Sequence, residues 1–288
     1  MPRPSPHSTG ESLPRPLLAV GVPCAGVLLV AFFLIRGFPY DDLAARIASA
    51  LERRHGIQLL FGEIGPALQL AGPAAQAKPL TARMPDGSAL AFDRALVRLA
   101  WSLSWLVGEP ALHVEVDGAA GSASGTLSWN GTTSWRGVIR NARADEGPIA
   151  DWIPTGRLVG ALDAKLELET GESGLEGFAE FTVRSGTLAL PDLSVPLPFD
   201  ELTGVVDIGG DAYASLASLR FAGPAASGSG TGKIGRAQPI EQAPIGFEFD
   251  LQLEPALAEA VRAAGVPVDA QGIAKARIAG TAAAPEIR

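Results

Sequence analysis

From Ile245 to Glu254 the chain alternates without a fault: Ile245, Phe247, Phe249, Leu251 and Leu253 against Gly246, Glu248, Asp250, Gln252 and Glu254. A side-chain period of two belongs to an extended strand with one dry face and one wet face, and no helix accommodates it. The same alternation runs through Leu158–Glu169, through Leu112, Val114 and Val116, and through Leu202, Val206 and Ile208. Leu175–Leu190, Ala212–Phe221 and Gly272–Thr281 alternate more weakly. Strands that are greasy on one side only imply an antiparallel sheet. With 34 glycines and 23 prolines in 288 residues, the gaps between strands have ample turn chemistry.

Few helices are available to cover such a sheet. Asp41 and Asp42 can cap one that runs to about His55 and stops at Gly56. Its apolar positions Leu43, Ile47, Ala50 and Leu51 keep helical spacing, with the arginines largely opposite. Short candidates follow at Ser102–Val107, Pro148–Ile153 and Pro255–Ala264. The sheet is therefore expected to cover itself, as a curved trough, a sandwich or a partly open barrel. A trough would leave an apolar lining, and exposed apolar surface of that extent marks a binding surface. The row Ile245, Phe247, Phe249, Leu251 and Leu253 is the clearest candidate for a partner- or lipid-facing strand. Ala222–Gly235 is so rich in Gly, Ser and Ala that it suits an edge strand or a flexible loop.

Leu17–Ile35 carries no charge and is bracketed by Arg15 and Arg36. Roughly 19 residues in helical form span about 28 Å, close to the hydrocarbon thickness of a bilayer. Arg36-Gly37-Phe38-Pro39-Tyr40 follows it and offers no small-residue cleavage site, so the run is expected to remain as an uncleaved anchor. Arginines lie on both sides of it, so loop charge does not set the orientation. A short Pro-rich tail inside and a long body outside is the commoner arrangement. The expected organisation is a cytoplasmic tail over 1–16, a transmembrane helix over 17–36, an amphipathic helix within 37–56 and a β-rich body over 57–288. A sub-boundary is placed near 141–154. Trp101 and Trp105, four apart in one of the short helical candidates, share a face. They suit core packing or a membrane interface.

A net charge of −8 argues against a nucleic-acid binder. Chemistry is poorly supported. Gly230, Gly232 and Gly235 fit G-x-G-x-x-G, but Gln238-Pro239 follows where the motif needs a helix. The three histidines, His7, His55 and His113, are too scattered to hold zinc, and Cys24 is the lone cysteine. No nucleophile elbow is complete, and the carboxylates are spread along wet faces. The expectation is a protein without catalytic residues, metal or cofactor. Asn130-Gly131 between two strand candidates reads as a hairpin turn.

The layout of a span, then Phe38-Pro39-Tyr40-Asp41, a helix ending Arg53-Arg54-His55-Gly56-Ile57, and strand after strand resembles the N protein of the bacterial type II secretion system in its single-anchor form. Ser88–Asp93, Trp105–Leu112 and the closing Arg277–Pro285 add to the likeness. The pattern is also similar to the wider AsmA-like envelope proteins, whose strands bend into lipid-accommodating troughs. The resemblance implies an inner-membrane anchor, a periplasmic body and association with other secretion subunits, with homo-oligomers possible. It brings no catalytic residues. The AsmA-like side of it implies lipid handling as the alternative role.

Overall fold

The computed structural model describes residues 37, 39–69, 72–85, 87–100, 110–130, 132–145, 157–171, 174–189, 196–237, 242–263 and 267–287. The expected anchor at 17–36, the tail before it, Trp101, Trp105 and the helical candidates at 102–107 and 148–153 lie outside the described residues. Among the described residues no helix is long and apolar enough to cross a membrane.

Among the described residues the body is one antiparallel sheet of fifteen strands, strung almost entirely in sequence order. The first half comprises β1 (Gln58–Gln69), β2 (Gly72–Arg83), β3 (Ala89–Phe92), β4 (Arg94–Leu99), β5 (Ala111–Gly118), β6 (Gly121–Asn130) and β7 (Thr132–Arg143). The second comprises β8 (Arg157–Gly171), β9 (Gly174–Ala189), β10 (Leu197–Ile208), β11 (Ala212–Ala222), β12 (Ala226–Gly235), β13 (Pro244–Leu253), β14 (Ile273–Thr281) and β15 (Ala284–Ile287). β3 and β4 both pair with β2 and follow it as one bent strand. The terminal strands β1 and β15 do not pair with each other, so the sheet is open, and it is curved. Where a trough, a sandwich or a partly open barrel was expected, the described residues form one open, curved sheet.

A meander of this kind follows from the short connections. Asn130 closes on Thr132 through a tight hairpin, as the Asn-Gly pair predicts. Gly209 and Gly210, both at positive φ (99° and 71°), turn β10 into β11. The expected division near 141–154 falls between β7 and β8. These strands pair from Ser134↔Glu169 to Arg143↔Ala161, so the sheet passes that point as one body.

Among the described residues two helices accompany the sheet. The first, α1 (Tyr40–His55), ends as expected at Gly56, which is left-handed (φ 68°) and returns its N–H to the Glu52 carbonyl at 2.9 Å. Asp41 and Asp42 do not cap it. They sit inside its first turn, behind Pro39, and favour the helix through its dipole instead. Ala44 is buried while Ile47 is 45% exposed, so the apolar stripe is only partly used. The second helix, α2 (Pro255–Ala263), packs Ala258 and Val261 onto Ala226, Leu253 and Ala274 at one end of the sheet.

One expectation is corrected by the pairing. Ala226–Gly235 is neither an edge nor a loop but β12, an interior strand hydrogen-bonded on both sides. Its glycines are filled from the neighbouring strand. A Cβ at Gly228, Gly230 or Gly232 would overlap the side chains of Leu251, Phe249 and Phe247, which lie down across β12. A strand whose dry face is mostly glycine gains that face from its partner.

Candidate functional site

Cross-strand register decides which residues share a face, and here it assembles one surface across nearly the whole sheet. Val97 pairs with Val114, Val114 with Gly125, Gly125 with Gly137 and Gly137 with Leu166. The row continues through Ala179, Val206, Leu216, Gly232 and Phe247 to Ile278. The rows on either side that point the same way are equally apolar. One runs through Leu99, Leu112, Leu127, Trp135 and Leu168, the other through Ala95, Val116, Ala123, Ile139, Ala164 and Phe181. Bulges at β7–β8 and β10–β11 absorb one residue each without turning a polar side chain onto this face. From β4 to β14 these rows carry no charge, and the Trp135 indole N–H is their one hydrogen-bonding side-chain group.

The opposite face is laced with ion pairs. Arg94 reaches Asp117 at 2.6 Å, Arg136 reaches Glu167 at 3.4 Å, and Lys165 reaches Glu167 at 3.2 Å. Arg184 pairs with Asp163. His113 sits here, with Nε2 3.1 Å from Glu115 Oε1 and Nδ1 3.3 Å from Thr126 Oγ1. Both its partners are ordinary surface side chains. Among the described residues no group of three or more His, Cys, Asp or Glu is placed to hold a metal ion. Gly230, Gly232 and Gly235 lie within β12, paired with strands on both sides and not at the turn into a helix, so G-x-G-x-x-G has no phosphate-binding context here.

Burial along the apolar face is graded. The turns join strands at two opposite ends. At the end that holds α2, Leu162, Val183 and Leu202 are 6%, 1% and 9% exposed, and the Phe199 ring meets that of Phe221 at a tilt, with centroids 5.6 Å apart. Leu80 and Ala77, on the same end of β2, form a second buried cluster with Ala95. Towards the β6–β7 and β8–β9 hairpins the same face opens. Leu99, Val97, Trp129 and Leu175 are 36%, 37%, 41% and 53% exposed. Among the described residues the face is sealed at one end and partly exposed at the other.

Its floor is smooth because the large rings lie flat. Trp135 covers Gly125 and Gly137, Phe181 covers Gly204, and Phe247 and Phe249 stack at 6.3 Å over β12. The strand singled out from sequence falls on this face, while Trp101 and Trp105 lie outside the described residues. Ile245, Phe247, Phe249 and Leu251 are half-buried on it, and Leu253 is buried against α2. Sequence reading missed the continuation of the row through β4 to β9. Each strand's alternation was readable, but which residues stand side by side depends on register.

Asp145 clips the sealed end. Its carboxylate Oδ2 lies 3.3 Å from Arg143 Nη2 and 3.5 Å from Arg157 Nη2, joining the end of β7 to the start of β8. Burial alone would raise its pKa, but the Arg143 hydrogen bond, its own backbone amide and the two guanidinium charges outweigh that and hold it below the usual value. A group whose folded pKa is depressed adds stability above its unfolded pKa, about 3.9. That stability is lost as pH falls through the folded value. Acid unfolding curves of the wild type and Asp145→Asn are therefore expected to converge at the acid end and to separate above it. Parallel curves throughout would show that the clip carries no linkage.

No family model, curated protein or solved structure matches this chain.

Proposed function

We propose that this chain is a non-enzymatic accessory component of the type II secretion system, tethered in the inner membrane with its sheet in the periplasm. The observation that carries this reading is the open, one-sided sheet. Among the described residues it offers two edge strands that pair on one side only and a partly exposed apolar face, which suit contact with a partner. The layout of the chain, which resembles the secretion N protein, supplies the machine to which those surfaces would belong. Purification of the full chain from membranes that preserve the assembled apparatus tests it. Other secretion subunits should accompany the chain, and their consistent absence counts against the reading.

A second reading is favoured by the chemistry of the face itself. A lining free of charge, graded from sealed to open, suits hydrocarbon better than it suits a protein partner. On this reading the chain is an AsmA-like lipid-handling protein of the envelope. Mass spectrometry of gently extracted protein discriminates: near-stoichiometric phospholipid supports lipid handling, and a lipid-free chain removes it.

A further inference from the structure

We infer that the apolar face takes the acyl chains of a bilayer phospholipid tail-first, with chain ends towards α2 and the headgroup at the hairpin rim. This rests on the lipid-handling reading and adds to it an orientation and a floor. Charge complementarity selects the occupant. The lining presents no charge over its whole width, while the opposite face of the same strands is ionic. A polar group driven into it would lose its hydration and find no partner.

Shape selects in the same direction. Two protein sheets pack by interdigitating side chains, and a floor of flat rings over glycines offers few ridges to engage. A featureless flexible chain needs none. Polarity along the strands then sets the orientation. Just beyond the apolar rows, at the hairpin end, the same face carries Trp129, Thr133, Thr170 and Leu175. These are its first hydroxyls, beside an indole that is 41% exposed. Such an amphipathic row suits the boundary between hydrocarbon and water. The opposite end is closed by α2 and by Val183 and Leu202.

The full chain, reconstituted in phosphatidylethanolamine–phosphatidylglycerol vesicles, can be irradiated with phospholipids bearing a diazirine at the acyl terminus or on the headgroup. Chain-end adducts are expected around Phe249 and Leu251, and headgroup adducts around Trp129 and Leu175. Gly230→Val would lift the Phe249 ring off the floor, and chain-end adducts should then fall to background. Removing that ring as well, in Gly230→Val with Phe249→Ala, should restore them. Ser229→Val, on the ionic face of the same strand, should leave them unchanged. Adducts that are absent, or spread equally over both faces, overturn the lipid reading and this inference together. Adducts confined to the apolar face but reversed in polarity, or indifferent to Gly230→Val, overturn the inference alone. Cross-links from this face to a second copy, or to Leu17–Ile35 of the chain itself, show a protein occupant and also overturn it.

Discussion

Leu162→Ala is expected to lower the stability of the body by about 2–5 kcal/mol, whereas Leu99→Ala should stay within about 1 kcal/mol of the wild type. Both leucines point from the same face of the same sheet. They differ in what surrounds them. Leu162 is 6% exposed and packs with Val183, Leu202 and Phe199, so truncation leaves a void that the neighbours cannot collapse into. Leu99 is 36% exposed, at the open end, and its removal leaves no enclosed cavity. Pulse proteolysis of the full chain in nanodiscs across a urea series measures both. Equal losses would show that the open end is packed as tightly as the sealed end, and the graded face would not exist.

That grading was not legible in the sequence. Alternation at Leu162–Leu168 looks the same along its length, although one end is sealed and the other half-open. Periodicity reports which side a residue faces, not what lies over it. The extended segments themselves were legible wherever polar and apolar side chains took turns, as in β5, β8, β10 and β13. They were lost at β12, because glycine has no side chain with which to alternate and its dry face is furnished by Leu251, Phe249 and Phe247. The stop of α1 at Gly56 was readable because a left-handed C-cap favours glycine. Its start was misjudged, since two aspartates are compatible both with capping a helix and with standing in its first turn. Whether the sheet closes was beyond reach, because closure depends on twist summed over many strands and not on any local pattern.

Val97→Glu should separate folding from function. Val97 is 37% exposed on the open part of the face, so a carboxylate there keeps access to water and costs the fold little. Its neighbours in the row, Ala75 and Val114, offer it no cation. The charge would stand where an acyl chain or an apolar partner has to lie, and either occupant would then need to desolvate it. Ser227→Glu, exposed on the ionic face of β12, places the same group where charges already belong. The expected result is a thermal transition close to wild type for both variants, with bound phospholipid lost from Val97→Glu and retained by Ser227→Glu. The same preparations rank the two functional readings. If Val97→Glu sheds secretion subunits while its lipid content is unchanged, the face is a protein contact. If it sheds lipid and keeps its subunits, hydrocarbon is the occupant and the edges of the sheet are left to hold the machine. A variant that loses neither shows that the open apolar face is not the working surface.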